Sequence, residues 1–217
     1  LPTSGVSFSP QAFLESATNQ GAVDITLAKF IEQTGLPAGG TLEGFFFADR
    51  YLLSRQIDVN TFTNTLLGNF KFKIEQPIND QISLQQGFET QGLTIYQAVI
   101  LASIIQREAI IDDEMPQIAS VFYNRMAAGM KLDSDPTVQY ALGFNPAQNT
   151  WWTNPLSLDD LRYDSPYNTY LYPGLPPGPI ANPGLNALKA VAFPVQTPYY
   201  YFRAACDGSG LHAFAVT

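Results

Sequence analysis

The sequence predicts an α+β protein, a helix-dominated domain closed by a C-terminal β-hairpin, and three observations carry that prediction. Helix-start signatures followed by breaker-free runs recur early and in the middle of the chain, as at Ser9-Pro10 and Thr94-x-x-Gln97. Strand-like runs flank the turn Cys206-Asp207-Gly208-Ser209-Gly210 near the end. The 217 residues, 46% hydrophobic and 14% charged, suffice for one good-sized domain or a compact one with a smaller companion.

The elements follow in order. Ser9 caps and Pro10 opens a helix over residues 10–17. A second helix over 26–33 stops at Gly35, a glycine suited to the left-handed position after a helix end. Residues 42–49 are apolar and irregular, and an amphipathic helix follows over 60–72, with a resumption after Pro77. Thr94 and Gln97 form a capping box ahead of an unbroken helix over 96–109. Asp112, Asp113 and Glu114 place negative charge at the start of the next helix, which carries Pro116 and ends at Gly129. Asp135-Pro136 repeats the cap-then-proline pattern for a short helix ending at Gly143. Residues 163–184, YDSPYNTYLYPGLPPGPIANPG, hold too much Pro and Gly for regular structure, and their four aromatics favour an ordered functional loop. Asn182-Pro183 then caps a helix reaching Phe193, and residues 199–205 and 212–216 make the hairpin.

Charge removes some functions. The net charge is −8 and the pI about 4.4, with Lys and Arg scattered singly, so no basic stripe can neutralise nucleic-acid phosphates. The same balance disfavours an anionic membrane surface. Cys206 is the only cysteine, which rules out an intrachain disulfide. No apolar run of about 18 residues occurs, so the sequence contains no spanning helix. Leu1-Pro2-Thr3-Ser4-Gly5 reads as a boundary, with an anchor expected upstream of it. Fifteen Phe, eleven Tyr and two Trp suit a groove that stacks on sugar rings, although core packing accounts for most of them.

Glu108 is the residue most in need of explanation. On a helical wheel it falls between Ile104 and Ile105, on the side of Leu101. An unpaired buried carboxylate costs several kcal/mol, so Glu108 is paired, protonated or lining a cleft. Burial raises a carboxyl pKa, the tuning a general acid on a glycosidic oxygen needs. The competing reading is an ion pair with Arg125 on the following helix, and both stay open at this level. Other constellations are weaker. Cys206 and His212 are the single Cys and His, six residues apart, where a nucleophilic pair usually draws on residues distant in sequence. The acids Asp112, Asp113, Glu114, Asp133 and Asp135 are accounted for by helix starts rather than a Ca²⁺ loop. No G-x-S-x-G elbow is present, Gly39-Gly40 is too short to cradle phosphate, and one His makes metal catalysis improbable. No metal or cofactor is expected.

The blocks around Glu108 are also recognisable. Residues 101–108, LASIIQRE, resemble the active-site helix of the endolytic murein transglycosylases, the YceG-like family. The resemblance continues through 119–126, ASVFYNRM, and 129–140, GMKLDSDPTVQY, to the loop signatures at 164–170, DSPYNTY, and 174–184, GLPPGPIANPG. Leu42-Glu43-Gly44 upstream and Tyr200-Tyr201-Phe202 downstream keep the order, so the match spans roughly residues 40–214. Many members carry E-K-E in the helix, where this chain has Gln106-Arg107-Glu108, and Gly-Gly-His near the end, where it has Gly210-Leu211-His212.

The resemblance implies a catalytic domain over residues 41–217, with 1–40 a remnant of, or insertion in, the family's LysM-like domain. It implies a lyase that cuts peptidoglycan glycan strands between MurNAc and GlcNAc, leaving 1,6-anhydromuramyl ends. Glu108 would serve as both acid and base. A lyase needs one carboxylate where a hydrolase needs two, because the substrate's own 6-hydroxyl attacks. The substrate contacts expected are Ser134, Asp135, Tyr123, Asn124 and Arg125, together with Tyr167, Asn168, Thr169 and Tyr170 of the long loop. Ser134 and Asp135 have helix capping as their other reading. Peptidoglycan synthases are expected partners, and the expected location is the outer face of the cytoplasmic membrane on a single-pass anchor. A glycan-binding protein without activity and an envelope scaffold are the alternatives.

Overall fold

The computed structural model describes residues 6–18, 23–78, 82–205 and 207–217. The chain order is α1 (Pro10–Thr18), α2 (Ile25–Gln33), α3 (Val59–Glu75), α4 (Leu84–Thr90), α5 (Ile95–Glu108), α6 (Met115–Ala127), α7 (Asp135–Leu142), α8 (Leu185–Ala192), β1 (Tyr201–Ala204) and β2 (His212–Ala215). Short 3₁₀ turns at Asp112–Glu114 and Asp160–Arg162 precede α6 and open the long loop.

The helix α5 is the axis. It packs against α8, α6, α7 and α4, and Ile95 together with residues 98–105 is buried on every side. The central position explains a sequence too apolar for a surface helix. Thr94 and Gln97 form the capping box as expected, each satisfying a backbone amide at the N-terminus of the helix. Ser9 Oγ likewise accepts from Ala12 N at 3.1 Å to start α1, and Gly35 and Gly129 take the positive φ values of 84° and 66° that close α2 and α6. One hydrophobic core includes Leu27, Phe30 and Ile31 of α2, Phe70 of α3, Leu101 and Ile104 of α5 and Leu188 of α8. The N-terminal helices thus share the core of the later elements.

Two expected caps are not used. Asp135 is the first residue of α7 rather than its cap; Ser134 takes the cap position, without a capping bond from its side chain. Gly184, not Asn182, precedes α8, while Asn182 Oδ1 accepts from Gly44 N and Phe46 N at 2.9 and 3.1 Å. In both cases a long-range partner outbids the local amide. The loop over 163–184 is irregular but pinned. Ser103 Oγ receives Ile180 N at 3.0 Å, Gln106 Oε1 receives Gly184 N at 2.9 Å, and the Tyr96 hydroxyl donates to Pro177 O at 2.9 Å.

The hairpin pairs antiparallel with Phe202 opposite Phe214 and Ala204 opposite His212. Those four share one face, which meets α6 through an edge-on contact of Phe122 with Phe202 at 5.7 Å. Among the described residues no single helix is long and apolar enough to cross a membrane.

Candidate active site

Glu108 is the last residue of α5. Leu101, Ile104 and Ile105 are fully buried beneath it, while Glu108 itself is partly exposed on the wall of a cavity of about 380 Å³. The C-terminus of α5 contributes Glu108, Ile110 lies just beyond it, and the segment running into α7 contributes Leu132, Asp133 and Asp135. Arg125 of α6, Tyr170 of the long loop, and Tyr200 to Ala204 with His212 of the hairpin complete the wall.

The carboxyl has one protein partner. Ser134 Oγ donates to Glu108 Oε1 at 2.5 Å. Among the described residues no bond reaches Oε2, and no side-chain oxygen or nitrogen is buried without a partner. Oε2 therefore opens on the cavity. Burial pushes the Glu108 pKa up to about 7 from an ordinary 4.5; the Ser134 bond opposes the rise and the charge of Asp135 adds to it. The carbonyl end of the α5 dipole acts in the same direction as burial, since it disfavours a negative charge there.

Ser134 is itself held in place. Its N–H donates to Thr169 Oγ1 at 3.0 Å, its carbonyl accepts from Thr137 Oγ1 at 2.6 Å, and the two threonine hydroxyls lie 2.9 Å apart. Thr169 thus aims the group that aims Glu108, and its side chain is buried. Asn168 is buried too: its amide donates to Leu161 O and Tyr163 O, and its Oδ1 accepts from Tyr170 N, so it shapes the loop from inside. Tyr170 reaches the cavity and its hydroxyl donates to Asp135 Oδ1 at 2.6 Å. Tyr167 lies away from this wall, its ring 4.9 Å from that of Tyr140, whose hydroxyl donates to Glu43.

The α6 residues brace the site. The Tyr123 hydroxyl donates to Val191 O at 2.8 Å. The Asn124 amide holds Thr197 O and Tyr199 O at 2.9 and 2.8 Å. Arg125, 7% exposed, donates to Tyr200 O, Lys131 O and Leu132 O and pairs with Asp133 at 3.0 Å. The Arg125–Glu108 ion pair weighed above is therefore not formed; Arg125 instead ties the hairpin to the segment leading to Ser134.

Of the expected contacts, the cavity brings together Glu108, Asp135, Arg125 and Tyr170, with Ser134 bonded behind Glu108. Tyr123, Asn124, Asn168 and Thr169 sit in the supporting framework, and Tyr167 in a neighbouring cluster. The sequence reading missed the hairpin wall, Tyr200 to Ala204 with His212, as part of the site. The strand pattern was visible, but nothing local tells which helix end a hairpin will cover. Cys206, weighed as a partner for His212, lies outside the described residues.

A Bacillus subtilis protein named endolytic murein transglycosylase is 35% identical over 167 residues, 77% of this chain and 43% of that protein. A Streptococcus pneumoniae protein of the same name is 26% identical over 205 residues, 91% of this chain and 35% of its own length. The chain therefore spans less than half the length of these curated relatives. The crystal structure of a yceG-like protein from Listeria monocytogenes superposes with a TM-score of 0.77 at 28% identity, covering 97% of this chain and 66% of that one. Since the family model matches residues 9–217, nearly the whole of the chain, this protein belongs to the YceG-like family.

Proposed function

We propose that this chain is the catalytic part of an endolytic lytic transglycosylase that cleaves peptidoglycan glycan strands. The observation that carries the reading is Glu108: Oε1 fixed by Ser134 at 2.5 Å, Oε2 open to the cavity, and a pKa raised to about 7. Such a group is poised between acid and base near neutral pH, so it can give up a proton and take it back. In the proposed reaction Oε2–H protonates the oxygen joining MurNAc C1 to the next GlcNAc, and that C1–O bond breaks. The muramyl 6-hydroxyl oxygen closes on C1 and returns its proton to Glu108, so no water is consumed. The attacking hydroxyl belongs to the same sugar, which supplies the high effective concentration that lets one carboxyl suffice. The names borne by the Bacillus subtilis and Streptococcus pneumoniae relatives support the substrate class.

A wall-cleaving enzyme works outside the cytoplasm, and we place this one there, held by an anchor beyond the present chain and serving alongside peptidoglycan synthases. A remnant of a LysM-like domain within residues 1–40 would be fused to the catalytic core, since Leu27, Phe30 and Ile31 pack into it.

Asp133 and Asp135 on the same cavity wall favour one other reading, a hydrolase with a second carboxylate. Mass spectrometry of purified peptidoglycan digested by the wild-type chain and by Glu108→Gln separates the two. Fragments one water lighter than hydrolysis products, absent with the variant, are expected. Full-mass reducing ends would establish the hydrolase, and intact glycan with either protein would refute both.

A further inference from the structure

We propose that His212 is a substrate contact of the cleft, its imidazole held by Glu114 so that Nε2 meets a hydroxyl of the bound sugar. The inference rests on the glycan-cleaving reading and adds a residue to it. Glu114 closes the 3₁₀ turn ahead of α6, 98 positions from His212 in sequence. Its two carboxyl oxygens accept the His212 backbone N–H at 2.9 and 3.1 Å, and Oε2 also lies 2.9 Å from the ring Nδ1. The two side chains are only 6% and 10% exposed. A carboxyl group that already accepts an amide at both oxygens is acting as an acceptor, which assigns the ring hydrogen to Nδ1.

A tie between the hairpin and α6 needs no more than the backbone bonds. The bond to the ring does something further: it fixes which edge of the imidazole turns away. The Phe202 ring stands edge-on to His212 at 5.4 Å and helps to hold that plane. Among the described residues Nε2 makes no bond, and no side-chain nitrogen is buried without a partner. Nε2 is therefore open, and His212 lines the cavity that holds Glu108. A sugar hydroxyl, which both donates and accepts, can bond this nitrogen whether the ring is neutral or charged. A carboxyl, an oriented imidazole and an open second nitrogen together make a preformed polar contact on the wall of the cavity that Glu108 also lines.

Two amide replacements separate contact from scaffold. His212→Asn puts its amide near the Nδ1 position, keeping a partner for Glu114 while removing Nε2; His212→Gln reaches the Nε2 position and gives up the Glu114 bond. With soluble peptide-free glycan strands as substrate, the Asn variant should keep the wild-type Tm while kcat/KM falls about tenfold or more, mostly through KM, as for loss of one substrate hydrogen bond. The Gln variant should recover part of that loss despite a lower Tm. Wild-type kcat/KM in the Asn variant, or activity that follows Tm across both variants, overturns the proposal. Should the wild-type chain release no fragments, the activity reading fails, and His212 is judged by calorimetric titration of the same strands into Glu108→Gln. A tenfold weaker Kd on adding His212→Asn then supports the contact, whereas an unchanged Kd, or no binding to Glu108→Gln itself, overturns it.

Discussion

Replacing Glu108 by Gln should make the protein more stable at neutral pH and not at acid pH, by an amount the structure sets. Raising a carboxyl from 4.5 to about 7 means that the folded state binds this proton more tightly than the unfolded chain does. Below pH 4.5 the group is protonated in both states and carries no penalty. As pH rises from 4.5 towards 7 the unfolded chain releases the proton while the folded state retains it, so stability falls; above 7 the full cost of a buried anion remains. At about 1.4 kcal/mol per pH unit the cost reaches about 3 kcal/mol. Glutamine fills nearly the same space, accepts from Ser134 and never ionises. Urea unfolding of wild type and Glu108→Gln at several pH values between 4 and 8.5 isolates this group, because all other titrations cancel in the difference. The variant's advantage should grow by about 3 kcal/mol across that range, or roughly 6–12 °C in Tm for a chain of this size. A constant difference would refute the reasoning: Glu108 would then titrate as an ordinary surface carboxyl, and its fitness as an acid would have to come from elsewhere.

Two further outcomes follow from the bonds around the cavity. Ser134→Ala removes the one interaction that holds the Glu108 pKa down, so the alkaline limb of a kcat/KM profile should move to higher pH, while the rate at its plateau falls as the carboxyl loses its orientation. An unmoved limb would show that Ser134 does not govern the proton. Arg125→Lys should not rescue the role of Arg125, because a single ammonium cannot serve Tyr200 O, Lys131 O, Leu132 O and Asp133 at once; chemical denaturation should register a loss of about 3 kcal/mol, and a loss under 1 kcal/mol would refute the bracing role.

Much of the secondary structure was legible because its causes are local. Thr94 and Gln97, Ser9 and Pro10, and the glycines at 35 and 129 act on amides and carbonyls within a few residues, so the sequence states both cause and consequence. Glu108 stood out for the same reason: its apolar neighbours on the helix wheel are the residues that turn out to be fully buried beneath it. What local pattern suggested at residues 135 and 182 went differently, since a cap competes with any partner the fold brings near. Asn182 answers amides 138 and 136 positions away.

The sequence alone determined the helices, the hairpin, the family blocks and the carboxyl suited to be an acid, all set by neighbours along the chain. Only the tertiary structure decided who holds that carboxyl: Ser134 rather than Arg125, across 26 positions. It also decided that Arg125 would brace the hairpin, and that Glu114 would reach 98 positions to orient His212 beside the cavity. A hydrogen bond depends on distance and angle in space, and chain separation constrains neither; these partners become definite only when the buried faces of α5, α6 and the hairpin have packed.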